Sequence, residues 1–137
     1  MTGETENREA AWTDEKLSET AHGYWESLAL MSAVHLGLFD ALADGPLADA
    51  DLALKLGASL RGTSMLAEAM AAMGLVRRSA DGVSSLTEFS FSRLTSSSPR
   101  SVRGFVEHMR RLLAEWTQLD RAVLEGSLPR REKTPER

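Results

Sequence analysis

A single amphipathic stretch at residues 101–126 constrains the fold of this chain more than any other part of its sequence. Its apolar residues recur every three or four positions, which is the spacing of one face of an α-helix. They are Val102, Phe105, Val106, Met109, Leu112, Leu113, Trp116, Leu119 and Val123. Ser101 can cap the first turn, and Gly126 can take the left-handed conformation that ends a helix. The pattern therefore predicts one helix of roughly 37 Å, at 1.5 Å per residue.

A helix of that length is longer than the core of a small domain can cover. With 137 residues, the chain has enough sequence for one domain and no room for a second full one. Part of the apolar face of this helix should therefore contact another chain or another domain.

A second apolar stretch begins at residue 13 or 18 and ends at Leu36. Its apolar side chains cover more than half of the helix circumference, so this helix should be buried on more than one side. They are Leu17, Ala21, Tyr24, Trp25, Leu28, Met31, Val34 and Leu36. Gly37 is placed to end the helix, and residues 38–43 predict a short helix before the turn at Gly45.

The middle of the chain predicts two short helices and a β-hairpin. The first helix covers residues 49–56, and the second, capped by Ser59, covers residues 60–73. The second helix should bury one face, formed by Met65, Leu66, Ala69, Met70 and Met73. Two strands, at 75–78 and 83–87, flank the turn-forming pair of Asp81 and Gly82.

These elements together predict a mainly α fold with a small β-wing. It is a winged helix-turn-helix flanked by a long N-terminal helix and a long C-terminal helix. We expect the domain to cover residues 13–129, with disordered tails at 1–12 and 130–137.

Composition excludes several classes of site. The sequence has no cysteine, so disulfides, thiolate zinc sites and a cysteine nucleophile are excluded. No segment is long and apolar enough to cross a membrane, and the polar start lacks a signal-peptide core. The cytoplasm is therefore the expected location, without a membrane partner.

Charge is distributed unevenly along the chain. Residues 1–48 hold nine acidic and two basic side chains, residues 49–94 hold five of each, and residues 95–137 hold six acidic and nine basic ones. The sums are −7, 0 and +3, in agreement with the net charge of −4. The acidic first third could pack against the basic last third, or both could be solvated faces.

No residue of the sequence is predicted to be catalytic, to bind a cofactor or to bind a metal. A cofactor loop needs closely spaced glycines after a strand, whereas Gly57 and Gly62 both lie at helix ends. His22, His35 and His108 do not have metal-ligand spacing, and His35 is better explained as a hydrogen-bonded core or interface histidine.

Several runs together resemble the N-terminal dimerisation domain of SAM-dependent O-methyltransferases, of the bacterial tailoring and plant type. They are GYWESLALMSAVHLGLFDALADGPL at 23–47, DLALKLG at 51–57, MAAMGLVRR at 70–78, LT at 86–87 and WTQLDRAVLEG at 116–126. The resemblance covers residues 21–129. The chain departs from the family pattern at Ala48, where the family has a capping side chain, and at Ser84, where it usually has Tyr.

The resemblance implies a winged-helix domain that pairs two subunits and covers the substrate site. SAM would belong to a separate Rossmann-like domain that is missing here, so the chain alone is not expected to be an enzyme. It would be a truncated, split or stand-alone module, with a catalytic domain encoded separately as one further partner. The resemblance also implies that Tyr24, Trp25, Leu28 and Met31 line the substrate pocket; plain dimer core is the alternative for these residues.

The residues themselves also favour a homodimer. Five large apolar side chains of the two long helices should remain partly outside the core of one chain: Trp25, Leu28, Leu112, Trp116 and Leu119. A two-fold dimer would bury them on both chains at once.

A small winged-helix DNA-binding transcription regulator is the alternative function, because this outline can read DNA. The outward face of the second short helix, however, is expected to carry Ser64, Ala67, Glu68, Ala71 and Ala72, which offer few donors to base edges. Arg61, Arg77 and Arg78 could contact phosphates. Binding of nucleic acid is therefore disfavoured.

Overall fold

The computed structural model describes residues 11–127, and this part of the chain contains eight helices and three short strands. In chain order they are α1 Asp14–Ala21, α2 Tyr24–Leu36, α3 Leu38–Ala41, β1 Leu47–Ala48, α4 Asp49–Leu56, α5 Leu60–Ala72, β2 Val76–Arg78, β3 Val83–Leu86, α6 Glu88–Leu94, α7 Arg103–Trp116 and α8 Leu119–Glu125. The fold is mainly helical, as predicted. Most of the first predicted tail and all of the second lie outside the described residues.

The predicted helix ends in the first half of the chain are confirmed. Gly37 and Gly57 have φ angles of 84° and 62°, in the left-handed region that favours glycine, and they end α2 and α4. The Ser59 side chain accepts the backbone N–H of Gly62 at 3.0 Å and caps α5. Ala48 precedes α4 and provides no side-chain cap, because its methyl group cannot accept a hydrogen bond.

The three strands form one antiparallel sheet in the order β1-β3-β2. The predicted hairpin of β2 and β3 is confirmed, and Gly82 in its turn has a φ of 78°. Strand β1 was not predicted. It has only two residues and pairs Leu47 with Ser84 of β3, so its strand character depends on a distant partner.

The long N-terminal helix was predicted as continuous, and this is wrong. Helices α1 and α2 are separated by a tight turn in which the N–H of Gly23 donates to the carbonyl of Thr20. The Thr20 hydroxyl also donates to the carbonyl of Lys16 at 2.8 Å, a contact that bends helices. The glycine adds no side chain that could stabilise a straight helix.

The long C-terminal helix is also divided, so one straight helix over 101–126 is a wrong prediction. Thr117 donates from its hydroxyl to the carbonyl of Ala114 at 2.8 Å, and the N–H of Gln118 donates to the carbonyl of Glu115 at 3.0 Å. These contacts tighten the chain between α7 and α8. The predicted end at Gly126 is confirmed by its φ of 78°.

Helix α6 was not predicted. Thr87 caps it by accepting the N–H of Ser90 at 3.2 Å, and the Ser90 hydroxyl donates to the carbonyl of Leu75 at 2.6 Å. The helix therefore continues directly from β3 and closes over the start of β2.

One core cluster holds these elements together. Its buried apolar residues come from seven elements, α2, α3, α4, α5, β2, α6 and α7, and from the residue that follows α3. They are Ala33, Val34, Leu38, Phe39, Leu42, Leu52, Ala67, Met70, Val76, Leu94 and Val106. In α5 the buried face is Thr63, Ala67 and Met70, whereas Met65 is exposed. The predicted face was therefore wrong at Met65 and Ala67, because α5 packs between α2, α4 and β2.

Candidate dimerisation surface

Helices α2 and α7, the two elements predicted to carry the interface, pack against each other and are joined by polar contacts. Nη2 of Arg103 donates to the carbonyl oxygen of Val34 at 3.1 Å. One turn further along α7, Oε2 of Glu107 lies 3.3 Å from Nδ1 of His35. His35 is therefore a hydrogen-bonded residue between two helices, although it is exposed rather than part of the core.

These contacts form the α2–α7 junction, which we define as Val34, His35, Arg103 and Glu107. It joins the last turn of α2 to the first turns of α7.

The predicted apolar stripe of α7 is only partly used by the core of this chain. Val106 is buried, and Leu112 and Leu113 are half-buried. Phe105 and Trp116, on one edge of the same helix, are 63% and 66% exposed. This exposed edge is the largest apolar feature that α7 presents to solvent.

A shallow groove of about 210 Å³ lies at the break between α7 and α8. It is lined by Glu115, Trp116, Leu119 and Ala122. Trp116 and Leu119, two of the predicted interface residues, therefore line one apolar depression.

An aromatic cluster lies at the start of α2. The ring of His22 stacks on Trp25 with a centroid distance of 4.3 Å, and Tyr24 meets Trp25 edge to face at 6.5 Å. Tyr24 and Trp25 are nevertheless 55% and 59% exposed, and Leu28 is also exposed. Met31 differs from these residues, because it is half-buried and packs against the core.

Neither α1 nor α8 contains a buried residue. Their exposed apolar side chains include Leu17 on α1 and Val123 and Leu124 on α8. Each of these helices extends beyond α2 or α7 without covering its apolar residues against the described part of the chain. Both carry apolar surface that a second molecule could bury.

Helices α1 and α7 carry charges of both signs, with an acidic excess on α1 and a small basic excess on α7. Helix α1 has Asp14, Glu15 and Glu19 against Lys16, and α7 has Arg103, Arg110 and Arg111 against Glu107 and Glu115. Opposite charges of this kind influence the orientation of two surfaces more than their affinity.

An ion pair that the sequence did not reveal lies at the hairpin. Nη1 and Nη2 of Arg78 donate to the two carboxylate oxygens of Asp49, each at 2.6 Å. The same guanidinium donates to Ser84 at 3.1 Å and Ser64 at 3.2 Å. These hydrogen bonds from Arg78 lower the pKa of Asp49 below its usual value, although partial burial opposes the shift.

Because of this ion pair, Arg78 is not free to contact phosphate, although it is one of the three arginines that the sequence offers for that role. The Arg78 side chain is largely buried and points at Asp49 rather than at solvent. Glu68, at 4.0 Å from the same guanidinium, adds negative charge beside it. Arg77 remains exposed.

A second depression, of about 430 Å³, lies between the loop that follows α3, the hairpin and α6. Arg77, Ser85 and Phe91 are among its lining residues. The sequence did not predict it, because its walls come from segments that are distant along the chain.

The described part of the chain lacks two kinds of feature. Within residues 11–127, no three His, Asp or Glu side chains cluster closely enough to hold a metal ion. None of the helices in that range combines the length and the hydrophobicity needed to span a bilayer.

The sequence matches a known protein family. Residues 18–97 match the profile of the O-methyltransferase dimerisation domain. The chain is also 36% identical over 111 residues to acetylserotonin O-methyltransferase of Rattus norvegicus. That alignment covers 80% of this chain and 26% of the rat enzyme.

Solved structures show the same relationship. Human N-acetylserotonin methyltransferase in complex with SAM superimposes with a TM-score of 0.73 at 32% identity, covering 85% of this chain and 36% of the human chain. N,N-8-amino-8-demethyl-D-riboflavin dimethyltransferase from Streptomyces davawensis gives a TM-score of 0.73 at 28% identity. The superposition covers 86% of this chain and 35% of the Streptomyces chain. The chain thus spans about a quarter to a third of the length of these proteins. Because the family profile covers more than half of its sequence, the chain belongs to the O-methyltransferase dimerisation domain family.

Proposed function

We propose that this chain pairs two subunits of an O-methyltransferase as a homodimer and helps to cover the substrate. The observation that carries the proposal is the exposed apolar edge of α7, at Phe105 and Trp116, on a helix that is firmly joined to α2. The family membership supports the same role.

The exposed residues offer enough energy for association. Burial of a large apolar side chain contributes roughly 1.5 to 3 kcal/mol. Trp25, Leu28, Trp116 and Leu119 are all exposed in one chain, and Leu112 is half-buried. These are the interface residues that we propose, and a two-fold dimer would bury each of them on both chains.

We propose that the middle of the chain is a winged helix. Helices α4 and α5 with the tight turn between them, followed by the hairpin of β2 and β3, support this interpretation. The DNA-binding alternative has no support among the related proteins, and Arg78 is engaged by Asp49.

The substrate-covering role is assigned to Tyr24, Trp25 and Leu28, which present exposed apolar surface at the start of α2. Met31 was grouped with them, and its partial burial favours a role in the core instead.

We propose that SAM binding and methyl transfer reside outside residues 1–137, either in the same polypeptide or in a separate catalytic partner. The sequence has no closely spaced glycine pattern of the kind that binds such a cofactor.

Sedimentation of the purified chain over a range of concentrations tests the pairing. The wild-type chain should be a dimer at tens of micromolar, and Trp116→Asp combined with Leu112→Asp should shift it to monomer. Leu54→Asp is the matched control, because Leu54 on α4 is 80% exposed and distant in sequence from both helices. A well-folded wild-type monomer at these concentrations would contradict the proposal.

A further inference from the structure

We infer that Arg103 is the positioning residue that sets the angle of α7 on α2. Through that angle it determines where the exposed edge of α7 is presented. The inference rests on the proposed pairing for one of its two readouts, whereas the other readout is independent of pairing.

The guanidinium of Arg103 joins three separate segments. Nη1 donates to Asp40 of α3 at 2.9 Å and to the hydroxyl of Ser96 at 2.7 Å. Nη2 donates to the carbonyl of Val34 in the last turn of α2 at 3.1 Å. Asp40 is in turn bound by the backbone N–H of Ser96 at 2.7 Å and by its hydroxyl. One side chain on α7 therefore fixes the end of α2, the short helix α3 and the loop that leads into α7.

The remainder of α7 has much weaker polar attachment. Glu107 contacts His35 one turn further on. Beyond Glu107, the described side chains of α7 and α8 form hydrogen bonds and one ion pair only within the segment from α7 to α8. The polar attachment of α7 to other elements is therefore confined to its start, at Arg103 and then Glu107, while Val106, Leu112 and Leu113 add apolar packing.

A small rotation of α7 at Arg103 produces a large displacement of the exposed edge at the other end of the helix. Trp116 lies about 20 Å along the helix from Arg103 at 1.5 Å per residue. A rotation of about 10° at Arg103 would move Trp116 by roughly 3.5 Å over that length. Apolar surfaces that must interdigitate do not tolerate such a displacement.

Lysine cannot replace arginine in this position. The planar guanidinium presents donors in two directions at once, here to the Asp40 carboxylate and to the Val34 carbonyl. An ammonium group would keep the charge beside Asp40 but would lose one of the two contacts. Arg103→Lys therefore keeps the positive charge and tests whether hydrogen bonds in two directions are needed to position α7.

The first readout is a distance within one chain. Because the sequence has no cysteine, Leu54→Cys and Ala114→Cys introduce two unique and exposed labelling sites, one on α4 and one near the end of α7. Pulsed electron paramagnetic resonance, with the spin-labelled chain diluted in unlabelled chain, gives the distance between them. Arg103→Lys should shift or broaden that distance by a few ångströms, since a rotation of about 10° would displace Ala114, about 16 Å from Arg103 along α7, by roughly 3 Å.

Arg111→Lys is the matched control, because Arg111 also lies on α7 but is exposed and makes no hydrogen bond to another element among the described residues. It should leave the distance unchanged. Asp40→Asn provides a second variant, which removes the charge partner and should also broaden the distance. An unchanged distribution in Arg103→Lys would overturn the inference. Loss of folding in both Arg103→Lys and Asp40→Asn would overturn it too, since Arg103 would then be needed for the fold itself.

The second readout is the dissociation constant of the dimer. Coupling through a residue outside the contact changes affinity by roughly two- to thirtyfold, and Arg103→Lys should weaken pairing within that range. A wild-type chain that stays monomeric would defeat the proposed function while the distance measurement still tests Arg103. A wild-type dimer that Arg103→Lys leaves equally tight would defeat the inference alone.

Discussion

Arg78 binds both carboxylate oxygens of Asp49 at 2.6 Å, and the pair connects β2 to the first turn of α4. Ala48, the residue before α4, has no side chain that could cap the helix. The ion pair therefore anchors a helix start that lacks a side-chain cap, and it holds the hairpin against α4. Its two members are 29 residues apart in sequence.

Asp49→Asn should lower the free energy of unfolding by about 2 to 3 kcal/mol, because it removes the charged acceptor of two hydrogen bonds and leaves the largely buried Arg78 with only the exposed Glu68 at 4.0 Å. Urea denaturation measures this change. Asp51→Asn is the control, since Asp51 lies in the same turn of α4 but is exposed, and its cost should be about 0.5 kcal/mol. Equal costs in the two variants would show that the ion pair adds nothing beyond the helix dipole.

The same pair makes stability depend on pH in a defined direction. Arg78 lowers the pKa of Asp49 in the folded chain, so protonation favours the unfolded chain. The stabilisation should be complete above the ordinary aspartate pKa of about 4 and should be lost as pH falls further below it.

Urea denaturation of the wild-type chain and Asp49→Asn between pH 7 and pH 2.5 checks this dependence. The difference between them should be constant near neutral pH and should shrink below about pH 4. A difference that stays constant to the lowest pH would contradict the role assigned to Asp49.

Local signals explain which parts of the fold were predictable. Gly37 and Gly57 end helices because the left-handed conformation is a property of the residue itself. Thr117 shows the limit of local signals, because a threonine inside an apolar stripe is compatible with a straight helix. Its hydroxyl donates to the carbonyl of Ala114 at the break, but the same bond also forms in unbroken helices, so the residue type alone does not predict the break.

The candidate site was predictable as a set of apolar residues but not as a surface. Val106 and Phe105 are adjacent in sequence and belong to one stripe, yet the first is buried and the second is exposed. The stripe is wide enough to extend past the core, and only the packing of α7 on α2 decides which edge is left over. Arg103 escaped prediction for a related reason, since its partners Val34 and Asp40 lie more than 60 residues away.

The 137-residue chain alone should show no measurable affinity for SAM. Among the described glycines, Gly57 ends a helix and Gly82 lies in a turn, while Gly62 and Gly104 lie in the first turns of α5 and α7. None of them belongs to a glycine-rich loop that could approach a cofactor closely. Isothermal titration with SAM checks this expectation, with S-adenosylhomocysteine as a second ligand. A micromolar dissociation constant for either ligand would require a cofactor site that we do not assign.

Pairing should protect the exposed edge of α7 from chemical modification. The chain has no cysteine, so Phe105→Cys and Leu119→Cys each introduce a single thiol, at positions that are exposed in one chain. If only the monomer reacts, a protein concentration at which about nine-tenths of the chains are paired should slow the reaction with a maleimide about tenfold. Leu54→Cys, on the exposed surface of α4, should react at the same rate at every concentration. Slowing at Leu54 but not at Phe105 or Leu119 would place the contact on α4 instead, because protection follows whichever surface the second chain covers.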